Sequence, residues 1–272
     1  GVQTCALPIW SLKISLGNQF IPAMSYTFTY DNAPLKKRNN LWWETSFTSA
    51  GNLTSLVYAA FGKGFKETDK KLLNSPYAQF LKMTSEVRCL FKVGEKQHIA
   101  TRLMGGILYA YGNQTVAPYS EQFYIGGANS IRAFTVRSIG PGSYRPEDKQ
   151  YGYLDETGDV KLEANVEYRF PILGDLYGAA FLDAGNVWLL REQKNEEGEN
   201  IRPGGLLTLR NFAKSVALGT GVGLRYDLTF LVIRLDLGIA LHDPYDTGKK
   251  GYYNIPKFKD GLGLHFAIGY PF

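Results

Sequence analysis

The chain has 272 residues, with 30 Lys and Arg against 25 Asp and Glu, 44% hydrophobic and 14% aromatic residues, 30 Gly and two Cys. That composition excludes a disordered tail, and two cysteines exclude a disulfide-built scaffold. Mean hydropathy is −0.19 and no run approaches 18 apolar residues, which excludes a membrane-spanning helix but leaves a membrane β-barrel open, because barrel strands alternate between lipid and lumen and average out as polar.

Residues 1–9, GVQTCALPI, read as the in-frame translation of a sequencing adapter rather than as part of a folded protein. This reading removes Cys5 from the count and makes residues 10–272 the C-terminal part of a longer chain, so the lack of a signal peptide says nothing about location. Strand signals follow in order. Segments 20–31 and 41–50 are weak candidates. In 81–91, Leu81, Met83, Val87, Cys89 and Phe91 alternate with Lys82, Thr84, Glu86 and Arg88; in 99–111, Ile99, Leu103, Ile107, Tyr109 and Tyr111 oppose Arg102, Gly106 and Ala110. In 160–170, Val160 through Phe170 alternate with Lys161, Glu163, Asn165, Glu167 and Arg169. Segment 176–188 is weaker. In 216–226 the apolar face opposes Gly219, Gly221, Gly223 and Arg225, and segments 231–241 and 262–272 keep a two-residue period over eleven positions each. Helical spacing would scatter those charges through the apolar stripe. The result is about nine strands near the 9–11 residues that cross a bilayer at a tilt, whereas ordinary sheet strands average about 5–6.

The connections sort by length. Those at 94–97, 171–175 and 227–230 are tight, while those at 51–79, 112–159, 189–214 and 242–260 are long. Alternation of short turns with long loops is the habit of outer-membrane barrels, and only 31–40 is longer than a turn should be. The surplus glycine then belongs to the inner wall. The surplus aromatics, among them Tyr26, Phe28, Tyr30, Trp42, Trp43, Tyr109, Trp188, Tyr270 and Phe272, belong to girdles at the two membrane interfaces. The expected fold is an all-β, antiparallel transmembrane barrel, present in part.

No catalytic constellation emerges. His98, His242 and His265 share no motif, no metal-ligand spacing occurs, and 219–223 resembles a nucleotide loop but opens no helix. Lys36-Lys37-Arg38 and Lys249-Lys250 read as solvated loop charge, so no nucleic-acid partner is expected, nor any cofactor or metal, nor an enzyme activity.

Within 112–159, the run Phe123-Tyr-Ile-Gly-Gly-Ala-Asn-Ser-Ile-Arg-Ala-Phe134 resembles the sixth-loop signature of the BamA/TamA family of outer-membrane assembly factors, also called the bacterial surface antigen family. Gly126, Gly127, Ile131, Arg132 and Phe134 match. Ala133 stands where the family prefers glycine, a departure expected to stiffen the turn because alanine resists positive φ. The likeness covers about 80–272 and includes 166–171, 181–188, 221–241 and the terminal Phe272. It implies a barrel of about sixteen strands, lacking roughly the first seven here, with POTRA modules upstream. It further implies that the loop folds into the lumen and that Arg132 meets Glu167 and Asp183 on the inner wall. Phe266, Ile268, Tyr270 and Phe272 would form the C-terminal strand signal, and strand 261–272 one side of a weak seam offered to clients. The implied function is insertion of proteins into the bacterial outer membrane, with client outer-membrane proteins, membrane lipids and accessory lipoproteins as partners. A two-partner secretion pore shares the fold. A passive porin would lack the inward arginine, and an outer-membrane enzyme would need a site that is not found.

Overall fold

The computed structural model describes residues 19–35, 39–65, 67–68, 70–146, 156–194 and 198–272. The adapter reading of 1–9 and the Lys36-Lys37-Arg38 run lie outside these. The strands are β1 (Ala23–Asp31), β2 (Asn39–Ala50), the short pair β3 (Lys71–Leu72) and β4 (Ser75–Pro76), then β5 (Phe80–Lys92), β6 (His98–Ala110), β7 (Val160–Leu173), β8 (Leu176–Trp188), β9 (Ala217–Asp227), β10 (Val232–His242) and β11 (Leu262–Ile268). Among the described residues, one nine-stranded sheet runs β1-β2-β5-β6-β7-β8-β9-β10-β11 with every neighbouring pair antiparallel, and β3 and β4 form a separate two-stranded pair. Sequential order in space follows from connections that never leave one edge, an up-and-down meander.

The alternation sets the two faces. On β1, Met24, Tyr26, Phe28 and Tyr30 point outward and stay exposed. Ser25 and Thr27 point inward and share hydrogen bonds with Thr48 (2.9 Å) and Ser46 (3.1 Å) of β2, while Thr29 donates to Glu44 at 3.3 Å. On β7 the inward set Glu163, Asn165, Glu167 and Arg169 is buried, while Leu162, Val166 and Tyr168 face out. Burying carboxylates and guanidiniums while exposing leucines inverts the order of a water-soluble protein and fits a wall between lipid and a polar lumen. The sheet curls. Arg102 on β6 and Arg234 on β10 both donate to Asn129, one to its carbonyl at 3.1 Å and the other to its Oδ1 at 2.5 Å. Among the described residues, β1 and β11 are its two edges.

Several expectations are corrected. Strand β11 stops at Ile268 instead of running to the C-terminus: Gly269 adopts φ 85°, a left-handed turn, and sends Tyr270 and Phe272 off the sheet. Trp42 faces inward, 4.4 Å from the Arg88 guanidinium, and Trp188 is buried beneath a loop against Phe212, its Nε1 donating to Ser215 Oγ at 2.9 Å. Neither ring belongs to a girdle. The long connection 51–79 also contains a helix, α1 (Asn52–Ala60), which the strand reading did not include.

Candidate functional site

The described part of the loop between β6 and β7, residues 111–146 and 156–159, packs against the inner face of the curled sheet. Its first part packs apolar side chains: Phe123, Ile125, Ile131, Phe134 and Ile139 are buried together with Val187, Ala217 and Ala240 of the wall. Gly126 and Gly127 both take positive φ (96° and 94°), and the Gly127 N–H closes a turn on the Phe134 carbonyl at 2.8 Å. The signature therefore forms one compact hairpin that presents Arg132 at its far end.

Arg132 is fully buried. Its Nε donates to Asp183 Oδ2 and its Nη2 to Asp183 Oδ1, both at 2.9 Å, and its backbone N–H reaches Oδ2 at 3.1 Å. Nη1 donates to Glu167 Oε2. The guanidinium also lies 3.6 Å from the centre of the Phe181 ring. A planar fork matched to one carboxylate and stacked on a ring fixes direction as well as distance, which lysine cannot do. Register explains the convergence: Asn165 pairs with Asp183, and Glu167 with Phe181, across the β7–β8 ladder, so all four project from one patch of inner wall.

The patch continues on both sides. Glu167 also accepts from Arg169 Nε (2.7 Å) and Arg225 Nη2 (2.9 Å), and Arg225 Nη1 lies 2.6 Å from Asp236. Glu163 holds Arg102 (2.6 Å), Lys161 (2.9 Å) and the loop's own Ser130 hydroxyl (2.8 Å). Asn165 donates to the Ser130 carbonyl at 3.0 Å and to Asp183 at 2.9 Å. The sequence reading named Glu167 and Asp183 but missed Glu163, Asn165, Phe181 and Arg225. The alternation placed Glu163, Asn165 and Arg225 on one face but assigned none to Phe181, and it could not show which rungs lie at the height of the loop.

Glycines of three successive strands make room for the hairpin. A Cβ at Gly238 of β10 would lie 2.2 Å from the Arg132 carbonyl oxygen, and one at Gly219 of β9 would lie 2.5 Å from the Ala133 Cβ. At Gly263 of β11 the nearest atom is again the Arg132 carbonyl oxygen, at 3.1 Å. Ala133 itself does not take positive φ. The stiffening expected there does not arise, and its methyl group fills the space left by Gly219. At the end of the loop, burial raises the Asp159 carboxyl from its ordinary value, opposed by the Leu190 N–H at 3.1 Å.

The four C-terminal residues divide. Phe266 and Ile268 lie on the outward face of β11 and are exposed. Tyr270 and Phe272 turn inward: the Arg169 guanidinium lies 4.1 Å from the Tyr270 ring, and those of Arg169 and Arg132 lie 6.0 Å from Phe272. Phe272 helps to line a cavity of about 240 Å³ with Trp42, Arg88 and Arg169. Among the described residues no cluster of His, Cys, Asp and Glu could hold a metal ion.

Comparison with known proteins adds three findings. The Omp85 superfamily domain matches residues 73–272. Of curated proteins, outer membrane protein assembly factor BamA of Neisseria meningitidis serogroup B aligns at 32% identity over 88 residues, 30% of this chain and 11% of that protein. Sorting and assembly machinery component 50 homolog B of Xenopus laevis aligns at 30% over 148 residues, 53% of this chain and 29% of that protein. The chain thus spans less than a third of these relatives. A crystal structure of BamA from Haemophilus ducreyi lacking POTRA domains 1–3 superposes with a TM-score of 0.46 at 15% identity, over 91% of this chain and 54% of that one.

Proposed function

The chain belongs to the Omp85 superfamily, and on that premise we propose that it is part of an outer-membrane protein assembly factor of the BamA/TamA type, located in the bacterial outer membrane. The observation that carries this reading is the interior loop pinned to the wall by Arg132, whose guanidinium is held by both oxygens of Asp183 and by Glu167. The alignments with an assembly factor and with a sorting and assembly component support the same reading.

The activity involves no covalent chemistry and no cofactor. Its partners would be unfolded outer-membrane proteins and the surrounding lipids, with POTRA modules and accessory lipoproteins delivering the client. The test uses the full-length protein that carries this sequence, reconstituted in vesicles and mixed with a urea-unfolded barrel client. Faster appearance of protease-protected, heat-modifiable client than in empty vesicles supports assembly. Passage of a soluble partner into the vesicle without insertion supports the secretion pore. Small-solute flux alone supports the porin.

A further inference from the structure

Helix α1 is built inside out. Residues Leu53, Leu56, Val57 and Ala60 follow helical spacing along one stripe, which Phe61 extends, and all five are exposed, Phe61 at 83%. A helix packed on a water-soluble protein turns that stripe toward the core. Here the opposite, polar stripe is the packed one. Ser55, fully buried, shares a hydrogen bond with the Tyr77 hydroxyl (2.7 Å) and donates to Gln79 Oε1 (2.9 Å). Asn52 donates to Ser49 Oγ (2.8 Å), and its Oδ1 accepts from Gln79 (3.2 Å) and the Tyr111 hydroxyl (2.7 Å). Tyr58 donates to the Lys71 carbonyl, and the buried Lys70 Nζ donates to the Phe65 carbonyl at 2.7 Å. These bonds fix the helix about its own axis, so the outward stripe is imposed by the structure.

The position follows from strand parity. Ser49 continues the outward series of Trp43 and Phe47 on β2, and Tyr111 that of Leu103, Ile107 and Tyr109 on β6, all of them exposed apart from Ser49 and Tyr111. The helix is therefore anchored on the lipid side of the wall at its rim, one residue beyond the end of β2, beside the Tyr109–Tyr111 pair. Its apolar stripe continues the apolar belt of β2, β5 and β6. The cations next to it, Lys63 and Lys71, are exposed.

We propose that α1 with Phe61 is an interfacial anchor: Leu53, Leu56, Val57 and Phe61 lie among the acyl chains of the outer leaflet, and Lys63 and Lys71 meet phosphate-bearing headgroups. Exposed leucines and a phenylalanine continuous with a lipid belt, flanked by lysines, form the face that a membrane interface stabilises and water does not. The anchor would brace the rim of the wall next to the long loop. The inference rests on the barrel reading, and its test separates the two. The full-length protein, with Cys89 and any other native cysteine replaced by serine, carries a nitroxide on a cysteine at position 56, and in a second sample at position 264 on the outward face of β11. Both are placed in vesicles of phosphatidylglycerol and phosphatidylcholine. Collision with oxygen exceeding collision with a nickel chelate at both positions, with position 56 about 5–10 Å below the phosphates, supports the anchor. Nickel access at 56 with oxygen access at 264 overturns the anchor and leaves the barrel reading standing. Nickel access at both overturns the barrel reading. Low access to both reagents at 56 means that protein covers the helix, and it also overturns the anchor.

Discussion

Removal of the Arg132 side chain should release the loop 111–159 without unfolding the wall. In Arg132→Ala, Asp183 retains only the Asn165 amide and the residue-132 backbone N–H among the bonds described above, whereas Glu167 still has Arg169 and Arg225. Breaking a buried pair from one side leaves a charge without its partner, at a cost of about 3–5 kcal/mol. That corresponds to roughly a hundredfold or greater rise in the open loop population, since each 1.4 kcal/mol is a factor of ten. Limited proteolysis of the full-length protein in detergent reads this population, because cleavage tracks opening when reclosing is fast. Heat-modifiability on a semi-native gel confirms that the wall stays folded. Arg132→Lys should recover part of the loss, as one ammonium can meet one carboxylate but cannot span Asp183 and stack on Phe181. A double-mutant cycle should give a larger coupling for 132 with 183 than for 132 with 167, because Glu167 shares its charge among three guanidiniums. Cleavage of Arg132→Ala within about threefold of the parent protein, under 1 kcal/mol, would refute the reasoning.

Gly219→Ala should destabilise the loop by about 1–3 kcal/mol through its clash with the Ala133 methyl, and adding Ala133→Gly should restore it. The same proteolysis assay checks this, and failure of the rescue would place the strain elsewhere. Gly238→Ala should show no such rescue, because its Cβ meets backbone atoms of Arg132 and Ala133. In the loop after β10, burial pushes the Tyr245 hydroxyl up to about 12, with Asp243 adding to the shift and Arg145 opposing it. The raised value favours the neutral phenol in the fold, so its stabilising contribution is complete below about pH 10 and is lost as pH rises toward 12. An ultraviolet titration of the parent protein minus Tyr245→Phe should reveal one tyrosine ionising near pH 12. Its ionisation near 10 with ordinary tyrosines would count against the burial.

The strands were legible because lipid on one side and a polar interior on the other leave a period of two with few exceptions, as on β7 and β10. The end of β11 was not, because Tyr270 and Phe272 keep the same period while a single φ at Gly269 takes them off the sheet. Periodicity reports residue type, and here the turn was decided by one dihedral. Helix α1 was overlooked for a related reason: 53, 56, 57 and 60 carry helical spacing, but the segment is short and lies inside a loop-length gap. Of the candidate site, the Arg132 hairpin and its two acids were readable through the family resemblance. The height of each rung on the wall depends on register, which brings Asn165 and Phe181 to Asp183 and Glu167 and which the alternation alone does not encode.

The inner wall has two halves that solve one problem. Where the loop carries charge, the wall answers with Glu163, Glu167 and Asp183, each already held by hydrogen bonds that fix its direction. Where the loop presents bare backbone and small side chains, the wall withdraws its own side chains at Gly219, Gly238 and Gly263. A wall shaped for an open water channel would need neither device. Glycines would waste the chance to line a pore with selective charge, and paired carboxylates would spend their charge on the wall's own cations. An open channel at the height of Arg132 would require the loop to be displaced. Displacement would strip Asp183 of its guanidinium, lay bare Ile125, Ile131 and Ile139, and leave the glycine column without the backbone that fills it. Each consequence is unfavourable on its own, and together they favour a wall built around its loop.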